Sequence, residues 1–209
     1  MEWKFNNTIA ELFNQHARQH IPDYDRVLEL SVDFCKQKLQ HSDPILEIGC
    51  AIGETVNRLH SAGFANIHAV DNSQDMLAKC PPNYATYYCT SEFPDTAVKF
   101  SAVLCNWTLH FIQDKESYLT SVYNAMLPGA FLILSEKTEN SGLALEQYHE
   151  YKFKHGVSRK EIKEKADSLV GVMFPESVDW YTKKFQSIGF SEVYIANANW
   201  CFTTFVIVK

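Results

Sequence analysis

The sequence predicts an α/β protein, with seven strands in a mostly parallel sheet, helices on both faces and a C-terminal antiparallel hairpin. After residue 40, short apolar runs alternate with stretches of helical periodicity, the pattern of a parallel sheet wrapped by helices. The last two apolar runs, Val193–Asn197 and Phe202–Val208, have almost no connector between them. Parallel neighbours need a crossover of about a dozen residues, so this pair must be antiparallel. A chain of 209 residues with 46 % hydrophobic and 21 % charged content fits a single domain, 1–209, with a sizeable core. The same composition excludes a disordered chain.

The elements follow in order. Asp25–Leu39 places Val27, Leu28, Val32, Cys35 and Leu39 on one helical stripe, and Pro22 marks the turn into it. Pro44–Ile48 is the first strand, followed at once by Gly49 and then by a helix from Gly53 to Ala62. Ile67–Val70 is a second strand, closed by Asp71. Ser73–Lys79 begins like a capped helix, with Ser73 at the N-cap and Asp75 in the first turn. Tyr84–Cys89 and Ser101–Asn106 read as strands three and four. A helix from Asp114 to Met126 stops before Leu127-Pro128-Gly129, and Ala130–Ser135 is strand five. Residues 136–176 are helical by composition and too long for a plain turn, so they read as a lid-like insertion. Ser177–Ile188 is a further helix, ended by Gly189.

Composition removes several function classes. No run approaches the roughly 18 apolar residues of a membrane span. The start, Met1 to Asn7, lacks the charged and apolar regions of a signal peptide, so a cytoplasmic location is expected. Six scattered cysteines form no C-x-x-C pair and no zinc spacing, which predicts reduced thiols and no metal site. A net charge of −6 argues against nucleic acid as a partner. Residues 150–165 do collect Lys152, Lys154, Arg159, Lys160, Lys163 and Lys165, interleaved with Glu150, Glu161 and Glu164. That alternation favours a solvated helix face over a binding patch. The sequence leaves self-association into a homodimer open.

The chemistry centres on Glu47-Ile48-Gly49-Cys50-Ala51-Ile52-Gly53. A glycine directly after a buried strand lets the chain turn tightly and lets a ligand press on bare backbone. The helix that follows points free N–H groups at the same place. The spacing resembles the acidic-x-G-x-G-x-G motif of enzymes that bind S-adenosylmethionine (SAM), with Ala51 where the middle glycine stands. Glu47 would then support the loop and the amino-acid part of the cofactor. Asp71 lies 22 residues after Gly49, where a Rossmann-like site puts its ribose-binding carboxylate, though it could instead cap the helix at Ser73. Asn72 follows, and Met76 either covers an adenine face or belongs to the core. Asn106, after strand four, can touch the cofactor or the acceptor at the switch point. His110 could act as a base, but a histidine between Leu109 and Phe111 reads better as packing.

The chain resembles the class I SAM-dependent methyltransferases, and within them the bacterial carboxy-S-adenosylmethionine synthases of tRNA wobble-uridine modification. Trp3-x-Phe5, Ala10-Glu11-x-Phe13, Pro22-x-Tyr24, Gly49-Cys50, Asp71-Asn72-Ser73 and Asn106-x-Thr108-Leu109 carry the likeness through the first half. Leu134-Ser135-Glu136-Lys137, Glu161-Ile162, Val172-Met173 and Ser177-Val178 continue it. The resemblance implies that Tyr24, Gly49, Asp71, Asn72 and Asn106 contact SAM and its product S-adenosylhomocysteine, with Cys50 and Ala51 in the same loop. It also implies an Asp or Asn after strand three for the adenine amino group. This chain has Thr90-Ser91-Glu92 there, and one of these must serve.

A second departure bears on the cofactor. In the synthases an arginine of the late insertion holds the extra carboxylate, and the alignment puts Ala166 in its place. Lys165 is adjacent, but one residue on a helix turns a side chain by about 100°. The expected protein is therefore a relative that kept the fold and lost the carboxylated cofactor, and that methylates a small-molecule acceptor with SAM. Tyr148, His149, Tyr151 and His155 of the insertion are candidates to line the acceptor pocket. A carboxy-SAM synthase and a SAM-binding protein without turnover are the alternatives, and the catalytic residues are not identifiable.

Overall fold

The computed structural model describes residues 7–139 and 141–209. The Trp3-x-Phe5 motif and nearly all of the stretch inspected for a signal peptide lie outside them. Seven strands form one sheet: β1 (Ile45–Ile48), β2 (Ile67–Asp71), β3 (Thr86–Cys89), β4 (Phe100–Asn106), β5 (Met126–Lys137), β6 (Glu192–Asn199) and β7 (Phe202–Val208). Their order is β3-β2-β1-β4-β5-β7-β6. The first five run parallel, and β7 lies antiparallel to both β5 and β6.

Alternation along the strands builds a core on each face. Leu46, Ile48, Val103, Cys105, Leu132 and Leu134 point to one side, against α5 (Lys115–Ala125) and α8 (Val178–Ile188). Ile45, Ala102, Leu104, Phe131 and Ile133 point to the other, against α2 (Tyr24–Lys38) and α3 (Glu54–Ser61). The side chains of Tyr181, Phe185 and Phe205 are fully buried, so α8 anchors the hairpin end of the sheet. Caps expected from the sequence form where they were placed. Ser73 Oγ accepts from Met76 N at 3.3 Å at the start of α4 (Gln74–Leu77), and Gly189 closes α8 at φ 114°.

Two features differ from the sequence expectation. The segment before Pro22, given no element from the sequence, forms α1 (Asn7–His20). It is held by tertiary contacts: Arg18 makes a forked pair with Asp25 at 2.7 and 2.8 Å, and Asn14 Nδ2 donates to Glu54 at 3.1 Å. Second, β5 begins at Met126 rather than Ala130, because the chain leaves α5 directly in extended conformation. The insertion is helical, as its composition suggests, and forms α6 (Gly142–Lys154) and α7 (Arg159–Ser168), the latter started by a full capping box between Ser158 and Glu161. No described helix is long and apolar enough to cross a membrane.

Candidate functional site

The strand order reverses between β1 and β4, which opens a crevice at the carboxyl ends of the strands. Register decides who meets there. Ile48 pairs with Val70 on one side and Cys105 on the other, so Gly49, Asp71 and Asn106 emerge side by side. Asp71 is opposite Cys89, which brings Thr90 alongside.

Gly49 turns the chain at φ +72°, and a Cβ there would lie 1.9 Å from Thr108 Oγ1. The bare backbone expected to receive a ligand is therefore filled by Thr108, whose hydroxyl lies 3.3 Å from Ile48 O and 3.2 Å from Asn106 O. The fold itself needs the glycine. Ala51 holds the left-handed conformation, φ 48°, in place of a glycine. Its N–H donates to Asp71 Oδ2 at 2.9 Å, and Ser73 N donates to Asp71 Oδ1 at 2.9 Å. Asp71 thus both braces the loop and caps the turn into α4, and each oxygen keeps lone-pair capacity for a ligand. Burial raises the pKa of Asp71, while the N–H groups of Ser73, Ala51 and Asn72 pull it back.

Glu47 is almost fully buried, and its Oε2 has no hydrogen-bond partner. Burial pushes its pKa up to about 8, with the Asp71 charge adding and the Thr55 hydroxyl and Val56 N–H opposing. Both polar atoms of the Asn106 amide are likewise buried and unpartnered. Leaving such groups unpaired costs about 1–3 kcal/mol each, a cost that a polar ligand beside them would offset. Glu47 and Asn106 line the same cavity of about 640 Å³, a volume in the range of small-molecule sites.

Every residue singled out from the sequence for the cofactor except Glu92 borders that cavity. Tyr24 stacks on Trp107 with centroids 4.9 Å apart, and Trp107 is itself in the left-handed region at φ 57°. Met76 is buried in the core and also lines the cavity, so its two roles coincide. Of the three candidates after strand three, Thr90 and Ser91 line it and Glu92 does not. His110 is packed as expected: its Nδ1 lies 2.8 Å from Glu136 Oε2, which also accepts from Tyr181 Oη at 3.3 Å. His110 nevertheless reaches the cavity wall.

Residues 46–134 match a family model described as a methyltransferase domain. The match takes in 89 of the 209 residues of the chain. Over its whole length it is similar to the carboxy-S-adenosyl-L-methionine synthase of Shewanella frigidimarina, 28 % identical across 93 % of that protein. Among solved structures it resembles phosphoethanolamine N-methyltransferase 2 of Haemonchus contortus in complex with SAM, at TM-score 0.70 and 14 % identity. There 98 % of this chain covers 57 % of that one. It also resembles magnesium protoporphyrin IX methyltransferase of Synechocystis PCC 6803 with bound S-adenosylhomocysteine, at TM-score 0.63 and 14 % identity. That match covers all of this chain and 90 % of the other.

Outside the matched residues, α1 and α6 add Phe13, His16, His20, Tyr148, His149 and Lys152 to the cavity wall, and α7 adds Lys165 and Ala166. Tyr151 and His155 do not reach it. They stack on each other at 4.0 Å, and Tyr151 Oη donates to Arg18 O at 2.8 Å. The lysine-rich stretch divides. Arg159 pairs with Glu150, Lys160 with Glu164 and Lys163 with Asp167, forming the expected solvated face. Lys152 and Lys165 instead line the cavity, joined by Lys137 from β5. Lys165 and Ala166 both border it, against the expectation that Lys165 turns away. A wall spanning one-third of a helix, and a four-carbon stem, suffice to bring both there. Sequence alone pointed to neither α1 nor Lys137 as part of the cavity. The signal available for α1 was the Ala10, Phe13, Ala17 spacing, and for Lys137 its place at the end of a buried strand.

Proposed function

We propose that the protein is a SAM-dependent methyltransferase acting on a small-molecule acceptor. The observation that carries this reading is the set of buried, unpartnered polar atoms on Glu47 and Asn106, facing one cavity with the carboxylate of Asp71. SAM, when bound, supplies a methyl group on a sulfonium centre that is already an excellent leaving group. Glu47 and Asn106 would hold the charged amino-acid part. Asp71 would accept from both ribose hydroxyls, and Asn72, Met76, Thr90 and Ser91 would border the adenosine. Tyr24, Gly49, Cys50 and Ala51 shape the wall beside it. Alignment of acceptor and methyl carbon supplies most of the rate, since orientation alone lowers such barriers by several kcal/mol. The helices α6 and α7 would act as a lid that excludes water.

A second reading, a carboxy-SAM synthase, draws on the full-length likeness to such synthases and on the cavity lysines, which could replace the arginine lost at Ala166. A cytoplasmic location and a homodimer assembled through the β6 edge, where Tyr194 and Ile195 are exposed, belong to the same proposal. Native mass spectrometry of freshly purified protein tests it. Co-purified SAM, S-adenosylhomocysteine or carboxy-SAM supports the site and discriminates the readings. Calorimetric binding of NADH with none of S-adenosylhomocysteine would refute them.

A further inference from the structure

A buried carboxylate stands behind one wall of the cavity. Glu136, near the end of β5, has no solvent exposure. Its Oε1 accepts from Leu109 N at 2.9 Å, and its Oε2 accepts from Tyr181 Oη at 3.3 Å. The same Oε2 lies 2.8 Å from Nδ1 of His110. A carboxylate that takes these donors is an acceptor for the ring as well, so His110 Nδ1 carries the proton and donates it. The Lys137 N–H reaches toward that nitrogen from 3.5 Å, too far to compete. The other ring nitrogen, Nε2, is then left with its lone pair. Among the described residues Nε2 has no hydrogen-bond partner, it is not one of the fully enclosed polar atoms, and the ring borders the cavity.

The place of His110 in the chain puts it at the open end of the sheet. Trp107, left-handed at φ 57°, turns the chain out of β4 just after Asn106, and the single 3-10 turn Leu109–Phe111 follows. A histidine that only fills space needs no ionised partner, and a wholly buried carboxylate is costly unless it is fully hydrogen-bonded. Behind a ring that opens on a cavity, such a carboxylate fixes the tautomer and steadies the imidazolium once it forms.

We propose, resting on the methyltransferase reading, that His110 is the general base of the reaction, with Glu136 as its positioning residue, and that the acceptor is a flat apolar molecule whose nucleophile is a hydroxyl of phenolic acidity. Nε2 takes the hydroxyl proton while an oxygen lone pair forms the new bond to the methyl carbon. The electron pair of the breaking carbon–sulfur bond stays on sulfur, and the imidazolium returns its proton to solvent. A hydroxyl is the nucleophile that needs this help, because it is weak until its proton leaves. Among hydroxyls, a phenol ionises near pH 10, as tyrosine does, which brings it within reach of an imidazole base. The wall around His110 suits an aromatic body. The Phe111 ring lies 4.6 Å from the imidazole, and Ile112, Tyr118, Met173 and Pro175 border the same cavity. Phe174 N donates to His110 O at 2.7 Å, which holds the stretch from Met173 to Pro175 against the turn.

The probe is 4-nitrophenol, whose phenolate has its own visible absorption band. Titrated at about pH 6 into the full chain saturated with S-adenosylhomocysteine, it should bind with a phenolate fraction about threefold or more above that of the free probe. His110→Gln keeps a donor for Glu136 and should return the bound probe to its neutral form, with S-adenosylhomocysteine affinity within about twofold of wild type. Glu136→Gln should lower the phenolate fraction without abolishing phenol binding, an effect that a purely structural role for the pair would not have. Diethyl pyrocarbonate, which acylates unprotonated imidazole, gives a second reading that depends on no variant. Peptide mass mapping should find His110 modified in the free chain and protected by 4-nitrophenol. A probe that does not bind, that binds neutral, or that ionises equally in His110→Gln overturns the proposal. So does a His110 that stays unreactive while the exposed His60 and His155 react. Ionisation of the probe in a chain that binds no S-adenosylhomocysteine keeps the base and overturns the methyltransferase reading instead.

Discussion

Removing the charge of Lys152 should make the ligand-free protein more stable, which is unusual for a buried residue. A lysine held near pKa 8 instead of 10.5 carries about 3 kcal/mol of cost in its charged form. The sign follows from linkage. Below pH 8 the group is protonated in both folded and unfolded chains, and the whole cost is present. Between about 8 and 10.5 the unfolded chain binds more protons, so stability rises with pH and the cost disappears. Lys152→Met fills the same space without the charge, but loses the contact of Nζ with the Tyr148 ring at 4.0 Å, worth about 1 kcal/mol or somewhat more. A net gain of about 1–2 kcal/mol remains near pH 7, or a few degrees in Tm for a chain of this size. Urea denaturation of wild type and variant, at about pH 7 and about pH 9.5, reads it directly. The gain should shrink by more than half at the higher pH. A destabilised variant, or a gain independent of pH, would refute the claim that Lys152 is a desolvated cation without a counter-charge.

Asp71→Ala removes the acceptor of two backbone N–H groups at 2.9 Å as well as the proposed ribose contact. Calorimetry should show SAM and S-adenosylhomocysteine weakened alike, by about tenfold or more, and an unaltered affinity for both would remove Asp71 from the site. Glu47, held near 8, keeps its proton at neutral pH in the free protein, and an ammonium group beside it would drive that proton off. S-adenosylhomocysteine binding at about pH 6–7 should therefore release close to one proton, seen by comparing buffers, and Glu47→Gln should abolish the release. Because Glu47 is raised, it also lowers stability progressively as pH climbs from about 4.5 to about 8. Gly49→Val places a Cβ 1.9 Å from Thr108 Oγ1 at φ +72°, so it should cost several kcal/mol of stability with no ligand present. A urea midpoint equal to wild type would show instead that the position is reserved for ligand alone.

The sheet was legible because its signals are local. The central strands are short apolar runs, and Ser73, Asp114, Ser177 and Gly189 mark helix ends within a turn of the residues they cap. The Gly49-to-Asp71 spacing was legible for a related reason. A strand, a helix and a second strand have nearly fixed lengths, so sequence distance converts into position at the sheet edge. Helix α1 gave a weaker signal, since it is mostly polar and is held by Arg18 on Asp25 and Asn14 on Glu54. Those partners have no sequence signature.

What the sequence determined by itself is the order of the strands' contents, the antiparallel finish and the glycine turn after β1 with its acidic partner Asp71. Only the tertiary structure decided that Thr108, far along the chain, is the reason for Gly49. It alone also separated Lys152 and Lys165 from the solvated lysines between them and joined them to Lys137. The physical reason is that charge alternation along a helix reports on its solvent face, whereas a cation turned into a cavity depends on what three separate elements leave uncovered.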